Sequence, residues 1–384
     1  MRPGACCPAA GVVAHAVGTA RPEQADAGCG MAVRVSVIGA SGYGGAEAVR
    51  LLATHPEVRL AHVTAETQKG RPIADLYPNL RGFVDLVTEP LDAAAIGRDS
   101  DLVIVSLPSG KAMEIVPELL ERGARVIDVA ADFRLRDPSL YPVWYSFTHT
   151  APRYLAEAVY GLPELHRAAI RRARLVANPG CYPAAALLAL IPLVRAGAVR
   201  RAGIVIDAKS GVSGAGRGGA AGGHGFSETN EDVRAYAIPG HAHTAEIEQE
   251  LSGQTGGAGG AAGDVRVTFA PHLIPMTRGI LATAYAPLAR RLTTPEALGL
   301  YREAYAAEPF VRVLPDGALP QTKATLGSNY CDVAVRVDAR AEMAIAIAAI
   351  DNLGKGAAGQ AVQNLNLMLG LPEAAGLRVP ALYP

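Results

Sequence analysis

Residues 33–54 read VRVSVIGASGYGGAEAVRLLAT, and this stretch decides the fold. Residues 33–39 form a short run rich in Val and Ile, typical of a strand buried on both faces of a parallel sheet. Residues 46–54 have the apolar spacing of a helix. The glycines between them, spaced GxxGxxG, predict a tight turn, a close backbone approach to a ligand and close packing of helix on strand; they are Gly39, Gly42 and Gly45. A strand, a glycine turn and a helix in this order form the phosphate cradle of a dinucleotide-binding fold.

Strands and helices alternate beyond this stretch. Buried strands are predicted at 59–64, 102–107, 125–129 and 174–177, and helices at 112–120 and 184–194. This alternation indicates an open parallel sheet whose ligands gather at the carboxyl ends of its strands. In residues 265–271, 279–287 and 331–337, apolar and polar side chains instead alternate with a period of two. This is typical of antiparallel strands that have one face exposed to solvent.

We therefore predict an α/β fold in two parts. Residues 31–180 and 352–384 would form a Rossmann-type parallel-sheet domain. Residues 181–351 would form an α+β domain with a largely antiparallel sheet, whose flat apolar face suits self-association. Residues 345–369 show a long helical pattern interrupted by glycines. The glycine-rich stretches 218–225 and 253–263 are expected to be a mobile loop and a surface linker.

The residues after the second strand bear on which dinucleotide would bind. Thr67, Lys69 and Arg71 supply a hydroxyl and cations of the kind that hold a 2′-phosphate. Glu66 is the type of residue that a free ribose hydroxyl prefers. On balance we predict NADP(H) as the cofactor.

The sequence NPGCYP, residues 178–183, lies between a strand and a helix and supplies a candidate nucleophile. Gly180 permits a tight or left-handed backbone, and Pro183 falls in the first helical turn. Cys181 would then lie at a helix N-terminus, where the macrodipole and free amides favour the thiolate. The alternative is a small buried hydrophobic residue without chemistry.

The sequence HAHTAEI, residues 241–247, supplies a candidate acid–base group. Thr244 can cap a helix over roughly 245–251. A histidine beside a thiol can take its proton and later give one to the substrate oxygen. The pair His241 and His243 could also be half of a metal site, but no third ligand stands at suitable spacing. We therefore predict no metal.

Arg134 follows the strand 125–129 and is a candidate for bidentate hydrogen bonding to a carboxylate or phosphate. Its alternative is a surface ion pair with Asp132 or Asp137. The glycine-rich loop 209–219 either wraps a ligand with its amides or is merely flexible.

Composition limits the classes of partner. Lys and Arg total 36 and Asp and Glu also total 36, so nothing indicates a surface for nucleic acid or an anionic membrane. The longest apolar run, residues 184–191, is too short to span a membrane. The five cysteines lack zinc-type spacing, which favours a reducing cytoplasm over a disulfide scaffold.

Residues 1–30 lack the layout of a signal peptide. We expect a disordered extension, or a start codon placed too early. Cys6, Cys7 and Cys29 would then be functionally silent.

A dinucleotide cradle, a thiol at a helix N-terminus, a histidine and an arginine together predict an acyl-thioester oxidoreductase with an acyl phosphate as its natural substrate. The motifs resemble the N-acetyl-gamma-glutamyl-phosphate reductases of arginine biosynthesis, which are related to aspartate-semialdehyde dehydrogenases. The matching stretches are GASGYGGAE (39–47), SLPSG (106–110), ADFRL (131–135), YGLPEL (160–165), NPGCYP (178–183), KSGVSGAGR (209–217), HAHTAEI (241–247), PHLIPMTRGI (271–280) and DNLGKGAAGQAVQNLN (351–366).

The resemblance implies a role for each matching residue. Cys181 would be the nucleophile, and His243 the acid–base group with His241 beside it. Substrate would be bound by Arg134, Ser210 and Arg217. The NADP site would be lined by Gly39, Ser41, Gly42, Tyr43, Gly45, Thr67, Ser106, Pro108 and Gln360. The products would be the semialdehyde and inorganic phosphate, and the enzyme would be a homodimer or homotetramer.

Two positions depart from the family pattern. Ala242 stands where the family usually has Arg, and Ser109 where it commonly has His. Two alternatives stay open. One is the same chemistry on an aminoadipyl phosphate, perhaps on a carrier protein. The other is a non-catalytic, NADP-binding sensor or assembly subunit.

Overall fold

The computed structural model describes residues 32–218, 225–255 and 264–383. The predicted extension at 1–30, with Cys6, Cys7 and Cys29, lies outside these residues. So do most of the predicted mobile loop at 218–225 and most of the linker at 253–263.

Among the described residues, six parallel strands form the first sheet. They are β1 (Val33–Ile38), β2 (Val58–Val63), β3 (Leu102–Val105), β4 (Arg125–Asp128), β5 (Val159–Tyr160) and β6 (Leu175–Ala177). Their order is β2-β1-β3-β4-β6-β5, and every neighbouring pair is parallel. The predicted Rossmann-type sheet is confirmed. The strand order reverses beside β1, the position where such sheets bind ligands.

In the described part of the chain before residue 181, six helices accompany this sheet. They are α1 (Tyr43–Leu52), α2 (Ile73–Leu76), α3 (Ala93–Asp99), α4 (Ala112–Glu121), α5 (Leu140–Trp144) and α6 (Pro163–Ile170). The next, α7 (Cys181–Arg195), connects the first sheet to the second and is buried on every side from Tyr182 to Val194. A helix that is apolar all round must lie in a core.

The second sheet contains seven strands within the ranges that the structure describes. They are β7 (Ile204–Ser210), β8 (Arg234–Ala235), β9 (Val267–Leu273), β10 (Ile280–Pro287), β11 (Val311–Val313), β12 (Cys331–Asp338) and β13 (Met343–Ile350), in the order β11-β12-β13-β10-β7-β9-β8. Antiparallel pairs predominate, as predicted. One face packs on α7, α9 (His243–Gly253) and α10 (Thr294–Ala304), which all contribute to the core. The short helix α8 (Phe226–Thr229) precedes β8 in the chain.

The prediction of a helix from residue 345 onward is wrong for its first part. Residues 343–350 form β13, which pairs with both β10 and β12 in the middle of the second sheet. The Ala and Ile side chains of MAIAIAAI follow the period of two as well as that of a helix, and pairing with two neighbours decides in favour of the strand. A π-helical turn (Gly354–Ala358) and α11 (Gly359–Met368) follow. The helix α11 packs into the core of the first sheet.

The glycine turn after β1 has the predicted form at Gly39 and Gly45, and the approach of Gly42 to a ligand stays a prediction. Gly39 has a φ of +82°, and a Cβ there would lie 2.1 Å from the Ser106 carbonyl oxygen. A Cβ on Gly45 would lie 2.3 Å from the Gly39 carbonyl oxygen, so this glycine brings α1 against the strand end. Gly42 has ordinary space around it.

No helix among the described residues is long and apolar enough to cross a membrane.

We expect Gly45→Ala to lower the free energy of unfolding by about 1–3 kcal/mol, because the added methyl group has no room. Gly299→Ala is the matched control. Gly299 lies in α10 with open space around it, so that substitution should raise stability by roughly 0.5–1 kcal/mol. Denaturant unfolding measures both, and equal effects of the two changes would contradict the packing described here.

Candidate active site

A cleft of about 1300 Å³ opens at the carboxyl ends of the parallel strands and extends to the second sheet. Most of the residues predicted for the site line it. They are Gly39, Ser41, Gly42, Tyr43, Thr67, Ser106, Pro108, Arg134, Cys181, Ser210, Arg217, His241 and His243. Ala242 and Ser109, the two departures from the family pattern, also line it. Gly45 and Gln360 do not.

Cys181 is the first residue of α7, three residues before the predicted start of the helix, and is partly exposed. Of the tight or left-handed backbone that Gly180 permits, the left-handed form does not occur, since this residue is extended (φ −66°, ψ 154°). Glycine is required there for space. A Cβ would lie 2.4 Å from His243 Nε2 and 2.9 Å from Arg134 Nη1. The missing side chain therefore lets the histidine and the arginine approach the cysteine turn.

Glu246 is fully buried and joins these groups. Its Oε1 accepts hydrogen bonds from the Gly180 amide and the Tyr160 hydroxyl, both at 2.7 Å. Its Oε2 lies 3.4 Å from Arg134 Nη1. Burial raises the pKa of this carboxyl, while Arg134, Tyr160 and the Gly180 amide oppose that rise. The carboxylate thereby fixes α9 against the turn that carries Cys181.

Arg134 is buried, and the surface ion pair considered as its alternative does not occur. Asp132 instead accepts the amides of Gly110 and Met113. Arg134 Nε donates to the Asn178 carbonyl oxygen at 2.8 Å, and Nη2 donates to the Val129 carbonyl oxygen at 2.9 Å. The guanidinium is thus held by the backbone on two sides, with Nη1 left towards Glu246 and His243.

His243 begins α9, so the helix starts earlier than predicted and Thr244 lies inside it rather than at its cap. The Thr244 hydroxyl has no partner. His243 Nε2 lies 3.5 Å from Arg134 Nη1. Because a guanidinium can only donate, Nε2 presents its lone pair and the ring proton is assigned to Nδ1. His241 Nδ1 accepts the His243 amide at 3.1 Å.

Burial controls the protonation of this site. It lowers the pKa of His241 to about 4, and together with His241 and Arg134 it lowers the pKa of His243 well below its usual value. Burial also raises the pKa of Cys181 to about 11, although Arg134 and the amides of Cys181 and Tyr182 oppose the rise. The expectation of a preformed thiolate therefore does not hold for the free protein. The site holds a thiol beside neutral imidazoles.

Two tyrosines that sequence reasoning missed form the wall next to Ser210. Tyr182 donates to the His272 carbonyl oxygen at 3.1 Å, and Tyr236 donates to the Tyr182 hydroxyl at 3.2 Å. The Tyr182 ring stands edge-on to both His241 and His243. Tyr182 directly follows Cys181 in NPGCYP, and this position was the sequence signal that could have identified it as a site residue. Ser210 is buried and donates to the Gly211 carbonyl oxygen at 3.0 Å.

The C-terminal segment that contains the π-helical turn and α11 also packs against Cys181. A Cβ on Gly356 would lie 2.9 Å from Cys181 Cβ, so this glycine lets the π-helical turn pack directly on the cysteine. Asn178 donates to the Ala357 carbonyl oxygen and accepts from Asn364 on α11, both at 3.1 Å. Gln360, in α11, is fully buried, and neither atom of its amide group has a partner.

The other half of the cleft suits a dinucleotide. The N-terminus of α1 has Gly42 at its cap and no side chain bonded to it, which leaves first-turn amides for a phosphate. Arg217 lies here rather than beside the cysteine: Nη1 donates to the Ser41 carbonyl oxygen at 3.2 Å and the guanidinium covers the Tyr77 ring. Thr67 and Glu66 line the far end, while Lys69 and Arg71 do not line the cleft.

Within the described ranges no group of three or more His, Cys, Asp or Glu residues could hold a metal ion.

Comparison with known proteins agrees with this geometry. The family model described as semialdehyde dehydrogenase, NAD binding domain, matches residues 34–173, and the semialdehyde dehydrogenase dimerisation domain matches residues 181–352. The N-acetyl-gamma-glutamyl-phosphate reductase of Symbiobacterium thermophilum is 54% identical over 90% of this chain and 98% of its own length. That of Pelotomaculum thermopropionicum is 52% identical over 92% of this chain and 100% of its own.

Solved structures with lower identity share the fold. Aspartate semialdehyde dehydrogenase II of Vibrio cholerae, in complex with ASA, has a TM-score of 0.66 and 18% identity. The aspartate semialdehyde dehydrogenase of Candida albicans, with NADP, has a TM-score of 0.65 and 16% identity. Each comparison covers 88% of this chain and 98% of the other.

We expect Cys181 to react slowly with iodoacetamide at neutral pH. Since the pKa of its thiol is raised to about 11, the thiolate fraction and the rate should rise about tenfold per pH unit from roughly pH 7 to pH 10. Peptide mass spectrometry follows Cys181 separately, with the buried Cys331 as an internal control that reacts only after unfolding. A rate that levels off below about pH 8 would show a preformed thiolate and contradict this assignment.

Proposed function

The chain belongs to the semialdehyde dehydrogenases and, within them, to the N-acetyl-gamma-glutamyl-phosphate reductases, and from this premise we propose its reaction. It reduces N-acetyl-gamma-glutamyl phosphate to N-acetyl-L-glutamate 5-semialdehyde and inorganic phosphate with NADPH. The observation that supports this most is one cleft that contains Cys181, His243 and Arg134 together with the uncapped N-terminus of α1.

The residues of the nucleotide half fit the cofactor. A Cβ on Gly39 would clash with the Ser106 carbonyl oxygen, so glycine is needed to form this turn, and the free amides at the start of α1 would hold the pyrophosphate. Ser41, Tyr43, Ser106 and Pro108 would line the site. The side-chain amide of Gln360, which has no hydrogen-bond partner, would gain one if it turned towards the cofactor. NADPH bound there supplies the hydride that brings the acyl carbon to the oxidation level of an aldehyde.

Acylation is the first half of the reaction. The Cys181 sulfur attacks the acyl carbon, His243 Nε2 takes the thiol proton, and the bond from that carbon to the phosphate oxygen breaks. His243 passes the proton to the departing phosphate, so the products are a Cys181 thioester and inorganic phosphate. Arg134 lies beside the turn and stabilises negative charge that develops on the sulfur.

Release of the aldehyde is the second half. Reduction of the thioester gives a hemithioacetal on Cys181, and its carbon–sulfur bond then breaks. The sulfur takes back one proton, which enters from solvent by way of His243. A neutral imidazole beside a thiol suits both halves, since it can accept a proton and give it up again.

The domain division is also part of the proposal. Residues 31–180 and 352–384 would bind the nucleotide, supported by the packing of α11 in the core of the first sheet. Residues 181–351 would carry the catalytic groups and form the homodimer or homotetramer contact. The open face of the second sheet supports this assembly, because its Val205 and Tyr285 are paired in register and partly exposed. A reducing cytoplasm suits the free thiols of Cys181 and Cys331.

The reverse reaction tests the substrate. With NADP, inorganic phosphate and N-acetylglutamate semialdehyde, we expect NADPH formation, monitored by absorbance. Aspartate semialdehyde and the aminoadipate analogue should give much lower kcat/KM. Higher kcat/KM with either of those compounds would contradict the proposed substrate, and no turnover with any of them would favour the non-catalytic alternative.

Removal of the nucleophile tests the mechanism. We expect Cys181→Ser to lower kcat on the order of 10³-fold or more, since a neutral hydroxyl is a far weaker nucleophile, while NADP binding stays intact. The matched control is Cys331→Ala in β12, away from the cleft, which should lose stability but keep its activity. Retention of turnover by Cys181→Ser would rule out the thioester.

A further inference from the structure

Tyr145 lines the cleft and has a buried hydroxyl without a hydrogen-bond partner. It directly follows α5, at the C-cap position. Buried tyrosine hydroxyls nearly always find a partner, because an unpaired one costs free energy. An unpaired hydroxyl in a substrate cleft therefore indicates a partner that arrives with the substrate.

The acceptors around Tyr145 are already engaged. The carboxylates that act on its hydroxyl are Asp132 and Glu246. Asp132 accepts the amides of Gly110 and Met113, and Glu246 accepts from Gly180, Tyr160 and Arg134. Burial raises the pKa of Tyr145, and the Arg134 guanidinium, which can donate a hydrogen bond to the hydroxyl oxygen, only partly offsets that rise. The hydroxyl stays protonated and is a donor beside a cation.

The ring of Tyr145 is held in place. Its centroid lies 5.6 Å from that of Tyr141 and 5.9 Å from that of Phe147. The next residue, Ser146, has a φ of +60°, a conformation that costs a residue with a Cβ roughly 1–2 kcal/mol. Strained backbone of this kind persists where its surroundings impose it, and it is concentrated at functional sites.

The neighbouring Tyr141 shows the contrast. Its hydroxyl accepts the Leu135 amide at 3.1 Å and lies 3.2 Å from the Leu135 carbonyl oxygen. It does not line the cleft and is fully buried. Two adjacent tyrosines in the same aromatic cluster thus have different roles, one bonded within the protein and one open to a ligand.

We propose that Tyr145 is a substrate-binding residue whose hydroxyl donates a hydrogen bond to an anionic phosphate oxygen of the acyl phosphate, next to Arg134. The inference rests on the proposed function for the identity of that anion. A donor beside a guanidinium fits an anionic oxygen better than a neutral carbonyl. The same contact would hold inorganic phosphate when the reaction runs in reverse.

Tyr145→Phe tests this assignment, since it removes the hydroxyl and keeps the ring. We expect KM for the acyl phosphate, and for inorganic phosphate in reverse, to rise about ten- to hundredfold, the effect of losing a hydrogen bond to a charged group. KM for NADP(H) and Tm should stay nearly unchanged, because the hydroxyl donates to no group in the free protein and only the Arg134 guanidinium can donate to it. The phosphate concentration that protects Cys181 from alkylation should rise by the same factor.

Tyr141→Phe is the matched control. It leaves the Leu135 amide unpaired, so it should lower Tm and leave KM for phosphate unchanged. An unchanged phosphate KM and unchanged protection in Tyr145→Phe would overturn the inference, as would a rise confined to KM for NADP(H). An inactive wild type would refute the proposed function instead, and the phosphate-protection comparison would still decide the role of Tyr145.

Discussion

A single buried carboxylate, that of Glu246, holds the candidate catalytic groups together. Glu246 bonds the Gly180 amide, the Tyr160 hydroxyl and Arg134, and so joins α9 to the turn that presents Cys181. It stands three residues after His243, a spacing that places both on one face of the helix. A buried carboxylate is costly unless its lone pairs are bonded, and here both oxygens are engaged. Loss of this carboxylate would release the histidine, the arginine and the cysteine turn from one another.

Local signals in the sequence were sufficient for much of the fold and for the candidate groups. The glycine turn at Gly39 needs a positive φ, and the alternation of buried strands and helices admits few folds. The position of Cys181 at a helix N-terminus follows from a strand, a glycine and an apolar run. These features depend on residues close in sequence, which is why they could be predicted.

Other features depend on contacts between distant residues. The strand β13 forms because β10 and β12 flank it, although its alanines favour a helix equally well. Gly180 is needed for the approach of His243, which no local rule indicates. The protonated state of Cys181 follows from burial, which outweighs the helix dipole. Tyr145 has no motif of its own, and only its unpaired hydroxyl in the cleft distinguishes it.

The free protein therefore keeps a neutral thiol and a neutral imidazole in one cleft, and in the proposed mechanism proton transfer between them creates the nucleophile. The central claim is that Cys181 carries the acyl group. Intact-protein mass spectrometry of the chain mixed with N-acetyl-gamma-glutamyl phosphate, without NADPH, tests it directly. The account predicts one N-acetylglutamyl adduct per chain, located on Cys181 and discharged when NADPH is added. No adduct, or an adduct on another residue, would contradict it.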